Sequence, residues 1–173
     1  MEPQRFILSI FTENRIGLLH RITTIFTRRH VNIDSLTTSE TEIEGIYRFI
    51  VVVKLTEEEV VKLKKQIDKI IGVIQAFVLR EEDIVEQELA LYKVSTENLV
   101  NGTIERIIRE NHARVLNIEP EFIMIEKTGH PGETMDLFHL LEPYGVQGFS
   151  RSGIIAISKK PLNIRSYLNG EMV

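Results

Sequence analysis

The sequence predicts an α+β fold of two βαββαβ units in tandem, and three observations carry that prediction. Short runs rich in β-branched residues alternate with segments whose apolar residues recur at helical spacing. The order strand, helix, strand, strand, helix, strand can be read once between residues 6 and 79 and again, more faintly, from 88 to 157. An acidic stretch, Arg80 to Asp83, separates the two readings as a linker.

Phe6-Ile7-Leu8-Ser9-Ile10-Phe11 has the length and residue types of a strand. Leu18, Leu19, Ile22, Ile25 and Phe26 then share one helical face opposite His20, Thr23, Thr24, Thr27 and Arg28, which predicts a helix over 17–29. Asn32 to Ser39 reads as the second strand, Glu42-Ile43-Glu44-Gly45 as a turn, and Tyr47 to Val53 as the third strand. Thr56 followed by Glu59 fits a capping box ahead of Val60, Leu63, Ile67, Ile70 and Ile71, a helix that Gly72 ends. Val73 to Leu79 supplies the fourth strand. This order predicts a four-stranded antiparallel sheet with both helices on one face, the ferredoxin-like arrangement.

In the second half, Glu88 to Val94 is a strand, and Ile104, Ile107 and Ile108 mark a short helix after Asn101-Gly102. Ala113 to Ile118 and Phe122 to Glu126 are strands broken at Glu119-Pro120. Met135, Phe138 and Leu141 mark a helix ending before Pro143, and Val146 to Ile157 returns as one or two short strands. The expected domains are therefore 1–80 and 84–160, with 161–173 as a loose tail around Gly170.

Composition narrows the function. At 173 residues with 43% hydrophobic content, the chain can bury a core in each of two small domains. It has no cysteine, so disulfides, thiolate metal sites and a cysteine nucleophile are excluded. No apolar run approaches the roughly 20 residues of a membrane span, and the start lacks a signal peptide's apolar core, so the expected location is the cytoplasm, away from membranes. A net charge of −4 without a basic ribbon or helix-turn-helix argues against a nucleic-acid partner, and Arg28-Arg29-His30 reads as a complement to a helix C-terminus. The five histidines form no H-E-x-x-H and no i, i+4 pair, and neither a P-loop nor a dinucleotide fingerprint occurs. Gly129-His130-Pro131-Gly132-Glu133 fits a tight turn into a helix as well as an anion cradle, and Phe149 to Gly153 fits a bulge as well as a display of Arg151.

The candidate binding site is Glu13-Asn14-Arg15-Ile16-Gly17-Leu18-Leu19, set between the first strand and the first helix. A helix start carries free N–H groups and the positive end of the macrodipole, which together accept a small carboxylate. Gly17 permits close approach, and Asn14 offers a donor and an acceptor. The same residues fit an Asx-type turn that merely caps the helix. Asn32, at the start of the second strand, adds a second amide from the same subunit or a paired one.

Phe6-Ile7-Leu8-Ser9 followed by Glu13-Asn14, Gly17, Leu19, Arg21, Phe26, Arg29 and Asn32-Ile33-Asp34-Ser35-Leu36-Thr37 resembles the start of the small, regulatory subunit of acetolactate synthase (acetohydroxyacid synthase). Glu86 to Lys93 is similar to that family's strand opening the second domain, and Arg151-Ser152-Gly153-Ile154-Ile155-Ala156-Ile157-Ser158 to its closing segment. The opening motif alone indicates an ACT domain, a widespread amino-acid sensor; the Arg-Ser-Gly segment is the more specific sign. The resemblance implies a non-catalytic chain that binds a larger catalytic subunit carrying thiamine diphosphate, Mg²⁺ and FAD, raises its activity and confers feedback inhibition by valine. It implies no cofactor on this chain.

The resemblance further implies a homodimer of paired ACT domains with the effector at the interface. Asn14 and the backbone of Gly17 and Leu18 would hold valine's carboxylate and ammonium from one protomer, within the segment from Arg15 to Leu19. Asn32 and Ile33 would close the pocket from the other, and Ile16 and Ile33 would wall the isopropyl group. One methylene is worth about 0.8 kcal/mol, too little to separate valine sharply from leucine or isoleucine. The sequence departs from the family pattern at Arg15-Ile16, where small polar residues are common, and at His20, where a serine is usual. The alternatives are a free-standing ACT-domain sensor that controls transcription or another enzyme, and an enzyme on a ferredoxin-like fold.

Overall fold

The structure, a computed structural model, describes residues 2–97 and 102–168. The first unit opens with β1 (Gln4–Glu13), longer at both ends than its apolar run. The polar ends are strand because ladder bonds hold them: Gln4 stands opposite Leu55 and Glu13 opposite Ile46 on β3 (Ile46–Leu55). Helix α1 (Leu18–Arg28) follows, then β2 (Ser35–Glu40), β3, α2 (Glu57–Ile67) and β4 (Val73–Leu79). The sheet is four-stranded and antiparallel throughout, as expected, in the order β2-β3-β1-β4.

Alternation along the strands sorts the side chains. Phe6, Leu8 and Ile10 of β1, with Phe49, Val51 and Val53 of β3, turn toward Leu18, Ile22 and Phe26 of α1 and Val60, Leu63 and Ile67 of α2. All twelve lie at 6% exposure or less, so the helices are held by a continuous apolar layer. Helix α2 is fixed at its start by the expected capping box. Thr56 Oγ1 accepts from Glu59 N–H at 3.4 Å while the Glu59 carboxylate accepts from Thr56 N–H at 2.9 Å.

The second unit repeats the order with β5 (Ile84–Ser95), α3 (Thr103–Glu110), β6 (Arg114–Ile118), β7 (Phe122–Gly129), α4 (Pro131–Leu141) and β8 (Val146–Arg151). Its sheet runs β6-β7-β5-β8, and β9 (Ile155–Ser158) also pairs with β5. Ala90, Tyr92 and Val94 face Ile104, Ile107, Leu137 and Leu141 across the core. The Gly129 to Glu133 stretch is the tight turn into a helix: Pro131 takes the first helical position and the Glu133 carboxylate accepts from His130 N–H at 2.7 Å.

One expectation is corrected. The second strand starts at Ser35, not Asn32, because backbone pairing with β3 begins only at Asp34 N–H, which donates to Val52 O at 2.9 Å. Residues 156–168, which span the end of the expected second domain and the start of the expected tail, cluster with the first unit. Within 161–168 lies a short helix, α5 (Ile164–Leu168). Its Ile164 is buried with Phe11 and Ile46, and Tyr167 meets the Phe77 ring edge-on at 6.1 Å. Lys159 N–H donates to Asp83 O at 2.8 Å, which ties the incoming chain to the linker. The end around Gly170, and Asn101, lie outside the described residues.

Candidate functional site

Between β1 and α1 the chain makes a turn anchored from both sides. Glu13 N–H donates to Gly72 O at 2.8 Å, and Asn14 N–H donates to Gly45 O at 3.0 Å. Leu18 N–H returns to Arg15 O at 3.2 Å and Arg21 N–H to Gly17 O at 3.1 Å. Gly17 sits at φ 81°, the left-handed region, as the residue before the helix. No side chain caps the helix: Asn14 is exposed and makes no capping hydrogen bond, so the Asx-turn alternative is not what forms.

The N–H groups of Leu19 and His20 have no partner among the described residues. Of the four helices with eight or more residues among the described residues, α1 alone lacks an acid in its first turn. Glu13, at the end of β1, is in an ion pair with Arg15 Nε that lacks hydrogen-bond alignment. The positive end of α1 therefore faces solvent uncompensated, next to an amide side chain. An anion with a hydrogen-bonding neighbour, such as an amino acid's carboxylate, meets its electrostatic requirements there.

The expected site residues fall into two groups. Asn14, Arg15, Ile16, Gly17 and Leu19 are exposed together at the helix start, whereas Leu18 is buried as the first core residue of α1. Ile16 is fully exposed, at 103%, so within one chain it walls nothing. Asn32 and Ile33 are elsewhere. Asn32 Nδ2 donates to Asp34 Oδ1 at 3.3 Å, and Ile33 packs partly buried against the main core. They follow the C-terminal end of α1, and eleven helical residues rise about 16 Å, so one chain does not bring the two groups into one pocket.

Two features escaped sequence reasoning. Glu88 is buried in the second unit, where Thr134 Oγ1 donates to its carboxylate and Arg151 Nη1 lies 3.4 Å from Glu88 Oε1. Tyr92 O–H donates to Thr134 O at 2.7 Å, and burial, reinforced by the Glu88 charge, pushes its phenol pKa well up. Around Arg151, Ser152 N–H donates to Leu89 O at 2.9 Å and Ser152 Oγ accepts from Leu89 N–H at 3.0 Å. The Arg-Ser-Gly segment thus stitches β5 to the chain after β8. The second feature is a cavity on the first unit that includes Arg48.

Comparison with known proteins agrees with this layout in both halves. Residues 8–75 match the family model described as the AHAS small subunit-like ACT domain, and residues 87–160 match that of the small subunit of acetolactate synthase. The acetolactate synthase small subunit of Bacillus subtilis is 37% identical over 158 residues, covering 88% of this chain and 90% of that one. That of Mycolicibacterium smegmatis is 34% identical over 157 residues, covering 91% and 92%. The crystal structure of the acetolactate synthase small subunit from Thermotoga maritima superposes with a TM-score of 0.85 at 25% identity, covering 92% of this chain and 99% of that one. The chain therefore belongs to the family of acetolactate synthase small subunits, the regulatory and not the catalytic component of that enzyme.

Proposed function

We propose that this chain activates the thiamine-diphosphate-dependent catalytic subunit of acetolactate synthase and subjects it to feedback inhibition by valine, bound between the ACT domains of two copies. The observation that carries the reading is the uncapped start of α1, with free N–H groups at Leu19 and His20 beside the exposed Asn14. Valine's carboxylate takes the N–H groups, and Asn14 orients its polar end. A second copy supplies Asn32 and Ile33, because one chain holds them at the far end of the helix. Ile16, fully exposed in the single chain, gains a function as apolar wall only in such a pair.

Inhibition follows from differential affinity. Valine binds better to the dimer geometry that fails to support the catalytic subunit, and a coupling of about 1–3 kcal/mol shifts the active fraction without any valine contact near the reacting centre. Thiamine diphosphate, Mg²⁺ and FAD reside on the catalytic partner in this reading, as does the joining of pyruvate's two-carbon unit to pyruvate or 2-oxobutanoate.

Calorimetric titration of the purified chain with L-valine, with L-lysine as control, tests the site. Saturable heat from valine alone is expected, and Asn14→Ala should abolish it while activation of the reconstituted catalytic subunit persists. An Asn14→Ala protein as valine-sensitive as the parent would sink the assignment.

A further inference from the structure

On the face of the first sheet turned away from α1 and α2, the chain from Ile157 to Arg165 borders an open cavity of about 570 Å³. That volume lies within the range of small-molecule sites. Its wall combines two chemistries. Phe11, Ile43 and Leu162 give it apolar surface, while Arg48, Lys160 and Arg165 bring three cationic side chains to the same space. Lys160 and Arg165 are exposed and in no ion pair among the described residues.

Arg48 is the unusual member. It sits among buried β3 residues, with its guanidinium over the Phe11 ring at 5.3 Å from the centroid. Nε donates to Ser9 Oγ at 2.8 Å, yet Nη2 is shut off from solvent and has no hydrogen-bond partner. A buried guanidinium nitrogen without an acceptor is costly and rare. The desolvation also holds the Arg48 pKa below its ordinary value, with the Glu42 charge opposing. Of the two acids at the rim, Glu40 is occupied in accepting from Gly45 N–H at 2.9 Å. The cavity thus carries a cationic excess beside a guanidinium with one unsatisfied nitrogen.

We infer that this cavity is a second ligand site, distinct from the start of α1, which binds a small organic carboxylate with a compact apolar body. The carboxylate pairs with the Arg48 guanidinium, whose sealed Nη2 gains an acceptor only as the side chain turns toward the ligand. Lys160 and Arg165 close over the anion, and the apolar body rests on Phe11, Ile43 and Leu162. The wall formed by 157–165 requires the chain end to lie on the first unit, as it does.

The test uses the full chain labelled with ¹⁵N, titrated with cyclohexanecarboxylate and, in parallel, with inorganic phosphate. Cyclohexanecarboxylate lacks the ammonium that the α1 site would engage. Saturable shifts of the Arg48 Nε–H signal and of the Thr41, Ile43 and Leu162 amides are expected, with phosphate at least tenfold weaker. The double variant Lys160→Glu, Arg165→Glu alters only exposed positions and should weaken the carboxylate at least tenfold while leaving the valine heat unchanged; Arg48→Met should abolish the shifts. Absence of saturation, equal response to phosphate, or undiminished binding by the double variant would overturn the inference.

Discussion

The two units share an element order and a left-handed glycine before the first helix, Gly17 at φ 81° and Gly102 at φ 65°, yet they treat that helix start differently. In the second unit, Glu105 lies in the first turn of α3, with Oε2 3.9 Å from where a Cβ on Gly102 would stand. The chain supplies its own anion. In the first unit no acid stands at α1, and the space beside Gly17 is open. Matching backbones thus differ in whether the positive helix end is satisfied internally or left open.

The largest effect that would break this comparison comes from placing the same side chain at both glycines. Gly17→Asp puts a carboxylate where valine's should bind, and loss of valine inhibition in the reconstituted enzyme is expected with activation retained. Gly102→Asp should leave inhibition intact. Both variants carry a similar backbone penalty, about 1–2 kcal/mol at positive φ, so folding alone does not separate them. Equal loss of inhibition in the two would show that the α1 start has no special role.

The cores differ as well. The first packs a cluster of apolar side chains against its helices, with Thr12 as a buried polar residue of β1, whereas the second ends in buried Glu88 and Thr134. Leu8→Ala, at a fully buried site, should cost about 3 kcal/mol by transfer and cavity terms. Hydrogen exchange resolved by peptide should show the loss of protection concentrated in residues 4–79. Thr134→Val removes the hydroxyl that donates to Glu88 and should cost about 1.5–3 kcal/mol, concentrated in 86–155. An apolar isostere that left the second unit's protection unchanged would mean that Glu88 finds another donor.

These contrasts separate what local chemistry announces from what only the fold assembles. The strand and helix order was legible because apolar period is local, as in Leu18, Ile22 and Phe26, and the capping pair Thr56 and Glu59 lies within four residues. That Asn14 to Leu19 lie together at a helix start was legible for the same reason. Asn32 was misassigned to a strand because its type permits strand or loop, and ladder bonding decides. Glu88 and Arg151 lie 63 positions apart, and Ser9 and Arg48 lie 39 apart, so no spacing rule joins them. Ile164 looked like tail because its partners Phe11 and Ile46 are distant in sequence, although the apolar spacing of Leu162, Ile164 and Tyr167 was a usable signal.

The smallest effect concerns the second helix of each unit, where the two behave alike. The Glu59 carboxylate is held below its ordinary 4.5 first by the N–H of Thr56 and then by its hydroxyl, and that of Glu133 first by the N–H of His130. A native pKa lowered in this way stabilises the fold above the ordinary carboxylate value and ceases to do so as pH falls through the lowered native value. Both units should therefore lose a little stability below about pH 4.5 from this cause. Both carboxylates are solvent-screened, so each contribution is minor. Urea midpoints of Glu59→Gln and Glu133→Gln measured from pH 7 to pH 3 should each fall less steeply at the acid end than the parent's. Were only one variant to flatten the profile, the capping of α2 and α4 would not be equivalent, and the difference between the units would extend beyond their first helices.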